Sequence, residues 1–174
     1  CIMVGDTAQL PATVISKAAA NCFYEQSLFQ RLEKTKHHSE MLDTQYRMHP
    51  SISEFSSVHF YSRKLLPGPN VLSPAYTKPF HATRVFAPFV FFDLRWTQEK
   101  RDQSRSTMNV QEAAFCKDLV AAFSRAFPDL FKTLSVGVIS PYSRQVKELD
   151  TAMKRGGCCA HKNLEISTVD AFQG

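Results

Sequence analysis

The pattern of apolar and polar residues is clearest in the second half of the chain. Aromatic residues dominate 89–94 and β-branched residues dominate 135–139 and 164–168, so each of these short runs predicts a strand. Between them, apolar residues recur at helical spacing after Asn109 and again over 146–153. The predicted order is strand, helix, strand, helix, strand. Right-handed crossovers of this kind indicate an α/β fold with a parallel sheet covered by helices.

Asn109 and Glu112 have the spacing of a helix N-cap and its third residue, so this pair predicts a capping box at the start of the longest helix. Their first interpretation is structural. The polar stretch 95–107 before them predicts an exposed loop.

The first half of the chain has a weaker pattern. The apolar run 1–4 is closed by Gly5 and Asp6, which predicts a buried strand and its turn. Helices are predicted over 26–32 and from Pro50 to about Phe60, with a short extended segment over 41–46. Five prolines in 66–88 predict a long loop with at most a short strand.

Composition describes a globular protein with a mild basic excess. The 174 residues are 44% hydrophobic and 21% charged, and the net charge is +5, which is compatible with a nucleic-acid partner but does not demand one. The apolar runs are shorter than the 18 residues of a transmembrane helix, so we expect no membrane partner.

Cysteine usage favours reduced thiols in the nucleus or cytoplasm, because the five cysteines are odd in number and form no CxxC pair. Cys158, Cys159 and His161 follow two glycines. We interpret them as a solvated loop and expect no metal site, because zinc ligands usually come as two spaced pairs.

Polar residues follow three of the predicted strands. They occupy 5–9, 140–142 and 167–170, where a parallel sheet would place its carboxyl ends. Ligands of open α/β sheets bind outside those ends. This layout is typical of a nucleotide-handling domain, although many α/β folds share it.

Five motifs narrow the choice among these α/β folds. In chain order they are VGDTAQLPATV (4–14), LDTQYRMHPSIS (42–53), MNVQEA (108–113), VGVISPYSRQV (136–146) and EISTVDAFQG (165–174). Their order and spacing resemble the superfamily 1B helicases of the up-frameshift and senataxin (DNA2/NAM7-like) group. YEQSLFQRL (24–32) and GPNV (68–71) favour the senataxin-like branch.

The resemblance implies a RecA-like fold of the P-loop NTPase class. It assigns 1–43 to the C-terminal end of a first helicase lobe and 44–174 to an incomplete second lobe that stops at the fifth motif. Both ends of the chain look cut. No GxxxxGK[ST] phosphate loop and no acidic Mg²⁺-holding motif occur in the chain.

At the ATP site, the resemblance implies that Gln9 senses the γ-phosphate and orients water, that Tyr46 stacks on adenine, and that Arg47 reaches the γ-phosphate. Gly174 is placed at the same cofactor site. Asp6 would link the lobes or hold the loop, and an equal alternative is a turn residue that satisfies backbone N–H groups. The alternative for Arg47 is a surface ion pair, and the neighbouring Met48 and His49 are interpreted as packing residues.

For nucleic acid, the resemblance implies six contact residues at strand ends: Ser140, Pro141, Tyr142, Ser167, Thr168 and Val169. Plain turn chemistry stays open for Ser140 and Pro141. Asp170 and Gln173 are implied to couple the strand-binding and ATP sites.

The function implied is that of a fragment of an ATP-dependent RNA or DNA helicase acting in RNA processing, transcription termination or RNA decay. The cofactors are ATP and Mg²⁺, with the Mg²⁺ ligands outside this chain. The partners are single-stranded RNA or DNA, an RNA–DNA hybrid, and the remainder of the helicase core.

We expect nuclear rather than cytoplasmic location and no ATP hydrolysis by the fragment alone. The alternative is a non-catalytic, nucleic-acid-binding or regulatory remnant, which a phosphate loop in the flanking sequence would exclude.

Overall fold

A computed structural model describes residues 1–101, 106–157 and 163–172 of the chain. They fall into two compact units, Cys1–Phe89 and Val90–Gly174, which we call unit 1 and unit 2. The lobe boundary near residue 43, implied by the resemblance, is a separate matter and stays a prediction.

Unit 1 is mainly helical, with one short parallel ladder. Its α-helices and strands are α1 (Lys17–Asn21), α2 (Leu28–Lys34), β1 (Thr44–Gln45), α3 (Pro50–Phe60), β2 (Leu66–Pro67) and α4 (Pro69–Leu72). Three 3₁₀ turns follow at Pro74–Tyr76, Pro79–Ala82 and Arg84–Phe86. β1 and β2 pair in parallel, with Thr44 opposite Leu66.

Side-chain caps explain where these helices begin. The hydroxyls of Ser16 and Ser27 accept hydrogen bonds from backbone N–H groups in the first turns of α1 and α2. At α3 the Nδ1 atom of His49 accepts from Ser51 N at 3.2 Å, and Pro50 takes the first helical position, where its missing N–H costs nothing. The predicted helices in this half of the chain are confirmed, with α2 displaced by two residues.

The strand predicted over 1–4 is wrong. No ladder forms there among the described residues, and Ile2 and Val4 are 95% and 91% exposed. A strand needs a neighbour to satisfy its backbone groups, and in unit 1 the described pairing is confined to β1 and β2. The proline-rich stretch is also more structured than predicted, since short helical turns occupy much of it.

Unit 2 carries the parallel pairing on which the fold class rests. Its elements are β3 (Lys100–Arg101), β4 (Thr107–Met108), α5 (Val110–Ala126), α6 (Pro128–Thr133), β5 (Val136–Ser140), α7 (Ser143–Arg155), β6 (Leu164–Thr168) and α8 (Val169–Phe172). β5 and β6 are parallel from Val136 opposite Leu164 to Ser140 opposite Thr168. The α/β class is confirmed, and so are the helices and strands predicted after Asn109.

The core of unit 2 lies where α5 and α7 pack together. Ala113 and Val120 of α5 are buried, as are Leu149 and Met153 of α7. α7 also packs against both strands of the β5–β6 ladder. Among the described residues, none of the helices combines the length and apolar character needed to cross a bilayer.

Two predictions for the start of unit 2 are wrong. The aromatic run 89–94 forms no strand, since no described backbone pairs with it, and Phe92 instead packs edge-on against Phe115 at 5.1 Å between ring centroids. The predicted loop 95–107 contains the antiparallel ladder of β3 and β4, in which Lys100 lies opposite Met108. The ladder is only two residues long, too short for periodicity to reveal.

Candidate nucleotide and nucleic-acid sites

The segment that carries Tyr46 and Arg47 is folded around the buried side chain of Gln45. Gln45 Oε1 accepts hydrogen bonds from Arg47 N at 3.0 Å and Met48 N at 2.7 Å, while Gln45 Nε2 donates to Met48 O at 2.8 Å. The amide thereby satisfies three backbone groups of a tight turn. The sequence placed Gln45 inside a motif but gave no sign of this role.

Tyr46 has one ring edge close to the backbone of Gly68. A Cβ atom at Gly68 would lie 2.6 Å from both Cδ1 and Cε1 of the tyrosine ring, so only glycine allows this approach. Asn70 fixes the same residue by donating from Nδ2 to Tyr46 O at 2.8 Å. The Tyr46 residue is nevertheless 61% exposed. It therefore offers an aromatic surface on which a planar ring could stack.

Arg47 is held by its backbone and exposed at its side chain. Its N–H donates to Gln45, and its carbonyl oxygen accepts from the hydroxyl of Tyr76. In the part of the chain that the structure describes, no ion pair involves the Arg47 guanidinium. This does not match the alternative of a surface ion pair. His49 shapes the following turn as the cap of α3, in agreement with its interpretation as a structural residue.

Asp6 joins Gln9 to a residue that sequence reasoning did not consider. Asp6 Oδ2 accepts hydrogen bonds from Gln9 Nε2 and from the Tyr61 hydroxyl, each at 2.7 Å, and Asp6 Oδ1 accepts from Ala8 N at 3.0 Å. The predicted turn role is therefore present, and a contact with a residue 55 positions away accompanies it.

Electrostatics keep this cluster in one protonation state. Partial burial by itself would raise the pKa of Asp6, but hydrogen bonds from Tyr61, Gln9 and Ala8 outweigh it and hold that pKa below its ordinary value of 3.8. The hydrogen bond to Asp6 raises the pKa of Tyr61 above 10.0, helped by burial and by the charge of Asp6. At neutral pH the carboxylate is ionised and the phenol is protonated.

The proposed strand contacts of unit 2 lie at one end of the parallel ladder. Ser140 and Thr168 are opposite each other at the carboxyl ends of β5 and β6. The Ser140 hydroxyl is buried and accepts from Tyr142 N at 3.2 Å, which is the turn chemistry left open above. Thr168 Oγ1 accepts from Ala171 N at 3.4 Å, and Tyr142 is 47% exposed.

The N-cap predicted at Asn109 is confirmed, but the reciprocal half of the capping box is not. Asn109 Oδ1 accepts from Gln111 N and Glu112 N, each at 3.1 Å. The backbone N–H of Asn109 donates to Gln145 Oε1 at 2.6 Å, so Glu112 is not its acceptor. Gln145 Nε2 completes the pair by donating to Asn109 O at 3.0 Å.

This two-way bond holds the start of α5 against the first turn of α7. Gln145 lies three residues after Tyr142. Asn109 also donates a hydrogen bond from Nδ2 to Thr97 Oγ1 at 2.9 Å, which extends the contact to the segment before α5. Gln145 and Asn109 are both buried. Gln145 stands inside the fourth quoted motif, so its presence was visible in the sequence while its partner was not.

A pocket of about 380 Å³ opens beside the same strand end. Ser140, Tyr142, Glu112 and Cys116 are among the residues that line it. Burial raises the pKa of the Cys116 thiol, so this thiol is a poor nucleophile at neutral pH. The thiol that this pocket contains is therefore not an activated nucleophile.

Some predicted residues lie outside the described part of the chain, namely Gln173, Gly174, Cys158, Cys159 and His161. Asp170 is exposed in the first turn of α8, and Ser167 and Val169 lie at or next to the end of β6. The structure thus groups Asp6 with Gln9, Tyr46 with Arg47, and Ser140 with Thr168.

The sequence of the chain is similar to those of known proteins. Residues 24–174 match the AAA-domain family. A protein of Dictyostelium discoideum described as a probable helicase is 42% identical over 99% of this chain and 17% of its own length. Helicase SEN1 of Saccharomyces cerevisiae is 41% identical over 100% of this chain and 8% of its own length. Regulator of nonsense transcripts 1 of Dictyostelium discoideum is 32% identical over 99% of this chain and 13% of its own length.

The parallel pairing of β5 and β6 against α7 agrees with the RecA-like α/β fold of the AAA-domain family. The chain belongs to the AAA-domain family and, within it, to the senataxin-like group of superfamily 1B helicases. It spans less than a fifth of the length of these three relatives.

Proposed function

We propose that this chain forms part of an ATP-dependent helicase that moves along single-stranded nucleic acid and unwinds it. The observation that carries the proposal is the state of Arg47. Both polar groups of its backbone are engaged, and its guanidinium is exposed without an ion pair among the described residues. An arginine held in this way is ready to pair with phosphate oxygens through its planar fork.

The proposed cofactors are ATP and Mg²⁺. Tyr46 stacks on the adenine, and the fit is supported by the exposed ring backed by Gly68. Arg47 neutralises charge on the γ-phosphate, and Gln9 orients the attacking water. Asp6 and Gly174 belong to the same nucleotide site in this proposal. Phosphoryl transfer needs mainly positioning and charge neutralisation, which these groups can supply. We further propose that the 174 residues alone do not hydrolyse ATP.

The proposed nucleic-acid partner is single-stranded RNA or DNA, including an RNA–DNA hybrid, together with the remainder of the helicase core. Its contacts are Ser140, Pro141, Tyr142, Ser167, Thr168 and Val169, with Asp170 and Gln173 coupling them to the ATP site. RNA processing, transcription termination or RNA decay is the proposed context, with the nucleus as the favoured location. The name of one relative, a regulator of nonsense transcripts, supports an RNA role.

Substitution of Arg47 in the complete helicase tests this proposal. Removing an arginine that stabilises the transition state costs roughly 10³–10⁵ in rate in related phosphoryl-transfer systems, so Arg47→Ala should abolish most strand-stimulated ATP turnover. Arg47→Lys should not restore it, because a lysine lacks the bidentate fork. Single-strand binding and the melting temperature should stay near wild type.

The matched control is Arg95→Ala, which removes an exposed arginine paired with Asp93 and should leave turnover unchanged. If Arg47→Ala lowers the melting temperature while turnover stays near wild type, Arg47 is structural and its proposed role is wrong. If the complete wild-type protein binds single strands without any ATP turnover, the chain belongs to a non-catalytic binding protein.

A further inference from the structure

The side-chain amide of Gln9 has a hydrogen-bond donor at one end and an acceptor at the other. The Nε2 end can only donate hydrogen bonds and the Oε1 end can only accept them. A residue that orients an attacking water acts through one of these ends, so the direction in which the amide points decides what it can do. In this structure the amide has a partner that fixes the direction.

That partner is the ionised carboxylate of Asp6. A carboxylate without a proton can only accept, so the Gln9 group 2.7 Å from Asp6 Oδ2 must be the Nε2 end. The Oε1 end then lies on the side of the amide away from Asp6. Because Gln9 is exposed, this acceptor can be reached by water.

Tyr61 holds the carboxylate in place. Its hydroxyl donates to the same Oδ2 atom at 2.7 Å, while the other oxygen of Asp6 is held by Ala8 N. Tyr61 is itself fixed by the turn that ends α3, where Ser62 and Arg63 both have positive φ and Arg63 N donates to Ser57 O at 2.7 Å. The phenol is thus presented by a defined turn.

We propose that Tyr61 and Asp6 are positioning residues that fix the Gln9 amide with Nε2 on the carboxylate and Oε1 directed to accept a hydrogen from the water that attacks the γ-phosphate. The inference rests on the proposed ATP-dependent function. It adds the direction of the amide, its cause, and a role for Tyr61. The protein bonds involved are hydrogen bonds only, and Asp6 and Tyr61 act on the water through Gln9.

The position of Tyr61 gives the arrangement a second consequence. α3 begins directly after the Arg47 segment and ends directly before Tyr61, and its 11 residues make a rod about 16 Å long. One rigid helix therefore joins the segment of the proposed phosphate-binding arginine to the residue that holds the Asp6–Gln9 turn.

The test is strand-stimulated ATP turnover by the complete helicase with substitutions at the three positions. In Asp6→Asn, one oxygen is replaced by an N–H donor. Ala8 N still donates to the remaining oxygen, so the new N–H group faces Gln9. A donor at this place favours the flipped Gln9 amide, in which Oε1 faces residue 6 and Nε2 points outward. We expect kcat to fall about 100-fold with little change in KM for ATP. Tyr61→Phe removes one hydrogen bond to a charged group and should lower kcat about tenfold.

A double-mutant comparison separates positioning from general support of the fold. If Asp6 acts through Gln9, then Asp6→Asn combined with Gln9→Ala should be no slower than Gln9→Ala alone. A purely structural Asp6 would give multiplied losses. Tyr24→Phe is the matched control, since Tyr24 is 78% exposed in the same unit, and it should leave kcat unchanged.

The pH profile is a further readout. Because the pKa of Asp6 lies below 3.8 and that of Tyr61 above 10.0, neither group should titrate between about pH 5 and pH 9. The wild-type kcat should therefore show no ionisation from this pair in that range.

The outcomes distinguish this inference from the function on which it rests. If Gln9→Ala lowers kcat strongly while Asp6→Asn and Tyr61→Phe stay within twofold of wild type, the inference is wrong and the function stands. If the complete wild-type protein shows no ATP turnover, or Gln9→Ala has no effect, the proposed role of Gln9 fails and the inference fails with it. Should Asp6→Asn not fold, the combination of Tyr61→Phe with Gln9→Ala provides the same test of additivity.

Discussion

At the scale of single residues, the approach of Tyr46 to Gly68 links a backbone requirement to the proposed nucleotide site. A methyl group at Gly68 would meet the tyrosine ring at 2.6 Å and the carbonyl oxygen of Gln45 at 3.1 Å. The ring can move because it is exposed, whereas the backbone oxygen is held by its hydrogen bond from Gly68 N at 2.8 Å. The ring would therefore be displaced, while Gln45 would continue to hold the turn.

This displacement gives a prediction about ATP affinity. In the complete helicase, Gly68→Ala should raise the KM for ATP roughly tenfold by removing a stacking surface, with a smaller effect on kcat. Tyr46→Phe keeps the aromatic surface and should remain near wild type, while Tyr46→Ala should resemble Gly68→Ala. Steady-state kinetics over a range of ATP concentrations measures all three. An unchanged KM in Gly68→Ala would show that this ring does not contact the base.

At the scale of secondary-structure elements, the sequence predicted helix starts and strands from neighbouring residues, but it did not predict hydrogen bonds between distant residues. The cap at Asn109, the helix start at Pro50, and the strands over 136–140 and 164–168 depend on residues a few positions apart, so the sequence predicted them. The partner of the Asn109 N–H is Gln145, 36 residues away, and a helix pattern contains nothing to specify it. The local capping rule therefore named the wrong acceptor, Glu112.

The Gln145 pair leads to a prediction about stability. Gln145→Leu leaves the buried N–H of Asn109 without an acceptor, while Asn109 O keeps its hydrogen bond from Ala113 N at 3.1 Å. An unsatisfied buried donor costs about 1–3 kcal/mol, so the free energy of unfolding should fall by about 1–3 kcal/mol. Lys147→Ala changes an exposed residue on the same helix and should alter it by less than about 0.5 kcal/mol. Urea unfolding measures both. If Gln145→Leu is as stable as wild type, the pair does not support the α5–α7 contact.

At the scale of the whole molecule, motif order predicted the family, which is confirmed, and the site residues it implies stay predictions. Pairing between distant segments could not be read from composition or periodicity. The run 1–4 has the composition of a buried strand, yet it forms no ladder with any described residue. The run 89–94 is likewise unpaired among the described residues. Both runs illustrate that apolar, β-branched or aromatic residues favour a strand only when another backbone is available. Tyr61 was missed for a related reason, since its contact with Asp6 spans 55 positions.

The whole-molecule prediction concerns the strand end where Ser140 and Thr168 lie side by side. If Thr168 contacts the backbone of the strand, Thr168→Ala in the complete helicase should weaken binding about three- to tenfold for every sequence, since phosphate and sugar contacts carry no base code. Thr168→Ser retains the hydroxyl that also accepts from Ala171 N, so it should bind like wild type.

Fluorescence anisotropy with oligo-U, oligo-A and mixed-sequence single strands, each at two salt concentrations, provides the measurement. Equal losses on all strands, with the salt dependence typical of phosphate binding, would support the role. A loss confined to one sequence would identify base recognition, and a Thr168→Ser variant as weak as Thr168→Ala would show that the hydroxyl is not the contact.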